Sequence, residues 1–107
     1  MITNTELITT PTSIFSSIGK SAINLITFCN LDDMLPAKLS VAVVPSGESL
    51  SNVHYLIYKT VLPPLETLFF SQEKLILDDG DVVYAYATQT DEMSSITVVT
   101  TVSSLGL

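Results

Sequence analysis

Lys74-Leu75-Ile76-Leu77-Asp78-Asp79-Gly80-Asp81-Val82-Val83-Tyr84-Ala85-Tyr86-Ala87-Thr88 carries a strand–turn–strand signal in one continuous run. An apolar run leads into an acidic turn, and a second run then alternates large and small side chains. Alternation with a period of two puts Tyr84 and Tyr86 on one face of an extended strand and Ala85 and Ala87 on the other. Asp and Gly tolerate the left-handed backbone that a tight turn needs. Residues 74–77 are therefore expected as a short strand, 78–81 as a solvated hairpin turn, and 82–88 as the strand that leaves it.

The same grammar extends outward in both directions. Residues 21–29 read as a strand with two fairly apolar faces: Ile23, Leu25, Thr27 and Cys29 on one, Ala22, Asn24, Ile26 and Phe28 on the other. A loop over 30–38 follows, then a strand over 39–44 with Leu39, Val41 and Val43 on one side. Pro45-Ser46-Gly47 stops it, because Pro lacks the ladder donor and Gly accepts positive φ. Residues 53–61 alternate again, with Val53, Tyr55, Ile57 and Val61 against Leu56 and Tyr58; a short helix competes, but the tyrosines and valines favour a strand. Pro63-Pro64 breaks the run. A strand over 65–71, a turn over 89–94 and a closing strand over 95–103 complete the pattern, the last with Ile96, Val98 and Val102 on one side.

Residues 1–18 are less regular. Leu7, Ile8, Ile14, Phe15 and Ile18 are apolar, but Pro11 divides the segment. It reads as an edge strand, with an exchanged arm that adds to a neighbour's sheet as the alternative. The expected architecture is one all-β domain over residues 1–107. It is a compact antiparallel β-sandwich, jelly-roll-like or a partly closed barrel, of about seven to eight strands.

Composition narrows the function. Hydrophobic residues make up 47% of the 107 and charged residues only 14%, with Ser and Thr filling much of the gap. Few charges then serve the whole exposed surface, which suits a subunit that buries part of it against partners. Net charge is −7, the four Lys (Lys20, Lys38, Lys59, Lys74) are scattered, and Arg is absent. Phosphate backbones call for clustered cations, so no direct nucleic-acid binding is expected. The acidic balance also repels anionic membranes, and no apolar run approaches the ~20 residues of a membrane span. One Cys precludes an intrachain disulfide. With no basic, apolar leader at residues 1–6, the chain reads as a soluble product of a reducing compartment.

Nothing in the sequence assembles a catalytic set, and no catalytic, cofactor-binding or metal-ligating residue is expected. Asp78-Asp79-Gly80-Asp81 is the best cation candidate, since hard oxygen ligands suit Ca²⁺, but the Glu that closes a twelve-residue calcium loop is missing. Asp32-Asp33 and Asp91-Glu92 sit in expected turns, with nothing to pair them as acid and base. His54 is the one histidine and reads as a surface or interface residue; Ser46 and Ser51 nearby lack a nucleophile elbow. Cys29 has no cationic sequence neighbour and reads as a buried small hydrophobe. Tyr55, Tyr58, Tyr84 and Tyr86 are either a half-buried sheet face or an interface, with stacking on sugar rings as a further use.

Cys29-Asn30, Val41-Ala42-Val43-Val44-Pro45-Ser46-Gly47, Leu62-Pro63-Pro64-Leu65 and the 73–81 segment together resemble small tailed-bacteriophage virion structural proteins. The resemblance covers roughly residues 20–103. It implies a β-sandwich used as a capsid decoration, neck or tail-associated subunit, located in the virion and made in the host cytoplasm. Its partners would be itself, as a homo-oligomer such as a trimer or ring, and other virion proteins. The resemblance carries no catalytic residues to transfer, so the expected role is non-enzymatic. The alternative is a carbohydrate- or receptor-binding β-sandwich module.

Overall fold

The computed structural model describes residues 1–70, 75–89 and 97–107. They form nine strands: β1 (Ile2–Glu6), β2 (Thr12–Ser16), β3 (Ser21–Asn30), β4 (Ala37–Val44), β5 (Tyr55–Leu62), β6 (Thr67–Phe70), β7 (Leu75–Leu77), β8 (Val82–Gln89) and β9 (Val98–Gly106). All pairings are antiparallel. The first sheet has the order β1-β9-β3-β6, with β7 also paired to β3; the second has the order β2-β8-β4-β5. The chain is an all-β sandwich, as its alternation predicts. The strand count exceeds expectation because residues 1–18 supply two edge strands, one in each sheet, on either side of Pro11.

Alternate side chains of both sheets meet in one core. Phe28, Leu39, Val83, Ala85, Ala87, Val98 and Val102 are all 0% exposed, and Ile14, Ile23, Ile26, Val41 and Leu77 join them. Burying each large aliphatic or aromatic side chain contributes about 1.5–3 kcal/mol. Ala85 and Ala87 face inward and Tyr84 and Tyr86 outward, as the period requires.

Strand β3 departs from simple alternation. Ile23 pairs with Ser104 and Leu25 with Ser103, so Asn24 is an extra residue in a β-bulge. The bulge inverts the faces beyond it. Ile23, Ile26 and Phe28 therefore share the core, whereas Leu25, Thr27 and Cys29 point outward. Cys29 is thus half-buried on the outer surface and not a core hydrophobe. Segment 53–61 also changes: Asn52–His54 forms a 3-10 turn, and β5 begins at Tyr55. The expected turn over 89–94 and the start of the last expected strand fall largely on residues 90–96, outside the described residues.

The 78–81 turn is tight, with Asp81 N donating to Asp78 O and Gly80 at φ 87°. It is not a hairpin, because β7 belongs to the first sheet and β8 to the second. Its carboxylates instead accept main-chain hydrogens: Asp81 from Ser46 N and Asp78 N, Asp79 from Gly19 N. Ser17 completes this clasp, accepting from Gly80 N and donating its own N–H to Asp81 O. At the opposite end, fully buried Asn30 donates from Nδ2 to Leu35 O and Leu62 O, and its Oδ1 accepts from Asp32 N. One amide thereby ties the 31–36 loop to β3 and β5.

Two stability predictions follow from this packing. A Cβ at Gly80 would stand 2.5 Å from Ser46 Oγ and 2.9 Å from Ser46 Cβ, whereas one at Gly47 (φ 83°) would meet nothing within 4 Å. Gly47→Ala should cost only the left-handed strain of about 1–2 kcal/mol; Gly80→Ala should cost about 1–3 kcal/mol more, from overlap. Equal urea midpoints for the two variants would contradict this. Thr100 is 1% exposed, and its hydroxyl meets no hydrogen-bond partner among the described residues. Thr100→Val should therefore stabilise the fold by about 1 kcal/mol in the same measurement, because it removes an unsatisfied buried hydroxyl.

Candidate functional site

The outer face of the second sheet is built around small residues on its middle strand. Ser40 of β4 lies opposite Tyr86 and Ala42 opposite Tyr84 of β8, while Tyr55 of β5 flanks Ala42 from the other side. Ser40 and Ala42 are each 1% exposed although they point away from the core. Large aromatics beside small residues leave a trough that the rings close over.

Strand β5 reaches this arrangement through two irregularities. Ala42 pairs with Tyr55 but Val41 with Ile57, and Leu39 pairs with Thr60. Leu56 is thus extra at one step, and Tyr58 and Lys59 together oppose Ser40 at the next. Lys59 takes φ 52°, and its N–H donates to Ser40 Oγ at 3.0 Å in place of a ladder bond. Simple alternation groups Tyr55 with Ile57 and sets Tyr58 against them. The bulges instead turn Ile57 toward the core and bring Tyr58 against Tyr55, with ring centroids 4.8 Å apart in an edge geometry. Tyr55 and Tyr86 join through their hydroxyls at 3.0 Å. The hydrogen bond to Tyr86, reinforced by burial, pushes the Tyr55 phenol up to about 12. Lys59 Nζ sits 5.3 Å from the Tyr58 ring centre, within cation–π range. Asn52, Tyr55 and Tyr58 line an open cleft of about 330 Å³.

His54 ends the 3-10 turn just before Tyr55, and where a surface or interface residue is expected its side chain is only 7% exposed. Its Nδ1 accepts from Ser51 N at 3.0 Å, so Nε2 carries the hydrogen and points to Glu48 Oε1 at 3.1 Å. Both ring nitrogens are engaged in holding the 48–54 segment that leads into β5. Asp32 Oδ1 accepts from Met34 N and Leu35 N, which holds its carboxyl below the usual range. The Asp79 and Asp81 carboxylates serve the clasp around the 78–81 turn, and Asp78 joins it through its main chain. Asp91 and Glu92 lie outside the described residues. Among the described residues, no three His, Cys, Asp or Glu side chains converge on a common point.

The outer face of the first sheet is different in character. Its cross-strand rows read Glu6–Val99–Cys29–Thr67, Asn4–Thr101–Thr27–Phe69, Ile2–Ser103–Leu25 and Leu105–Ala22–Ile76. Glu6 is the one charged side chain in these rows. Ile2, Phe69, Leu105 and Ile76 are 69%, 63%, 58% and 56% exposed, and hydroxyl-bearing residues stand between them. The abundance of Ser and Thr hints at such a surface, but its composition depends on the Asn24 bulge, which carries no sequence signal of its own. In comparisons with protein-family models, curated proteins and solved structures, nothing matches this chain.

The tyrosine pair predicts an alkaline signature. Tyr55 stays protonated in the fold up to about 12, whereas an unfolded tyrosine ionises near 10. Above that unfolded value the unfolded chain binds fewer protons, so stability is whole below about pH 10 and declines as pH rises toward 12. Tyr55→Phe should flatten this decline in urea titrations, and it should remove the latest-ionising component of the tyrosinate absorbance. An unchanged absorbance titration would contradict the assignment.

Proposed function

We propose that this chain is a non-enzymatic structural subunit of a bacteriophage virion, a capsid decoration or a head–tail or tail accessory protein, that acts through protein–protein contacts. One observation carries the contact reading: the outer face of the first sheet exposes Ile2, Phe69, Ile76 and Leu105 among hydroxyls, and among the described residues of its cross-strand rows Glu6 is the single charge. A sheet face with so few charges suits burial against a partner. The virion setting is supported by the resemblance of the 41–47, 62–65 and 73–81 segments. On a symmetric particle, many such modest contacts act together, so each need not be strong.

Phe69→Asp tests this reading, because Phe69 is 63% exposed and its replacement should leave the melting temperature within a few degrees. Co-sedimentation of the parent chain with assembled particles, at least tenfold weakened in the variant, is the expected result. A parent chain that neither self-associates nor binds particles would sink the proposal.

A second reading has its own observation, the Asn52–Tyr55–Tyr58 cleft, whose aromatic walls and amide fit a sugar ring. It expects glycan-array signals that Tyr58→Ala removes.

A further inference from the structure

We infer that β1 is a docking edge for a second copy of this chain, pairing antiparallel to its own counterpart about a two-fold axis at Asn4. The inference rests on the reading of the chain as a self-associating subunit and supplies the contact.

The hydrogen bonds of β1 fix which way its backbone points. Met1 and Ser104 exchange both N–H···O bonds, and Leu7 N donates to Val98 O. In an antiparallel ladder such residues alternate with residues whose N–H and C=O point away from the partner strand. Ile2, Asn4 and Glu6 therefore turn both main-chain groups to the open edge, and all three are exposed.

The other edges are blunted. Strand β5 is bulged and carries Lys59 at positive φ. Among the described residues, strands β6 and β7 have four and three residues. Strand β2 shifts register between Ser13 and Phe15. By contrast, β1 pairs with β9 over five consecutive residues without interruption. It contains no Pro, Gly or Lys, the residues that usually protect an edge.

The edge is also complementary to itself. A two-fold axis at Asn4 sets Asn4 opposite the partner's Asn4 and Ile2 opposite the partner's Glu6, so every outward-pointing backbone pair meets another. Net charge of −7 disfavours most contacts between copies. In this register, however, Glu6 faces an isoleucine and stands roughly 14 Å from the partner's Glu6. That exceeds the screening length of about 8 Å at physiological salt. The first sheet then runs unbroken through both copies, and their low-charge outer faces join. A five-residue strand buries less than the roughly 1,200 Å² of a stable free-standing interface, so the pairing is weak alone and strengthened where copies are held side by side.

Cysteine scanning of the full chain in a Cys29→Ser background tests the register. Antiparallel residues in the hydrogen-bonded position are about 5.5 Å apart at Cα, within disulfide range. Asn4→Cys should cross-link into dimers in a glutathione buffer at least tenfold faster than Ile2→Cys, and the double variant Ile2→Cys with Glu6→Cys should recover the fast rate. Asn4→Pro removes an outward N–H without touching a β1–β9 bond. It should weaken self-association in sedimentation about tenfold with the circular-dichroism spectrum retained. Cross-linking indifferent to position, or self-association unchanged in Asn4→Pro, overturns the edge pairing while leaving the assembly reading intact. Register-specific cross-linking without any binding to particles upholds the pairing and counts against the virion setting.

Discussion

One irregular step in the pairing of β3 with β9 determines what the first sheet shows to the core and what it shows to solvent. Asn24 is the extra residue. Without it, Ile23 would face opposite to Ile26 and Phe28, and the sheet would have an apolar side chain on each face at every other position. With it, all three enter the core, and Leu25, Thr27 and Cys29 fall into line with Thr101, Ser103 and Val99 outside. Strand β9 alternates without a break and carries β1 in continuous register, so the step on β3 brings the two faces of that strand into line with its neighbours. The contribution of β3 to the outer face on which the proposed function rests is a product of that bulge.

The second sheet uses the same device for another purpose. Bulges at Leu56 and at Tyr58-Lys59 rotate Ile57 inward and fold Tyr58 against Tyr55, which reaches Tyr86 on the far side of β4. The two sheets thus present unlike surfaces, one flat and hydroxyl-rich, the other aromatic and creased. In both, the loss of a regular ladder is compensated locally. Ser40 receives the Lys59 N–H that the bulge frees, and the carboxylates of the 78–81 turn receive main-chain hydrogens from two other segments and from the turn itself.

Much of this architecture was legible from side-chain order. Ala85 and Ala87 inside with Tyr84 and Tyr86 outside, Val98 and Val102 in the core, and the stops at Pro45 and Pro63-Pro64 all follow from periodicity and proline chemistry. The bulges were not legible, since Asn24, Leu56 and Lys59 are ordinary strand or loop residues whose role depends on the strand opposite. For the same reason the acidic turn reads as a hairpin: its local chemistry fixes the reversal but not which sheet receives the next strand. The aromatic cleft has no signature in the alternation, because it requires two residues three apart, Tyr55 and Tyr58, to share a face that a period of two denies them.

The position of β9 bears on how the chain is made. It is the last strand in sequence, yet it lies between β1 and β3, the earliest strands of its layer. During synthesis β1 has no neighbour in its layer, and β3 has only β6 and β7, until residues 98–106 have left the ribosome. Sheets assembled from such distant segments form slowly, and their unpaired strands invite aggregation while they wait. Emergence of residues 98–106 is therefore the event that lets the first layer close.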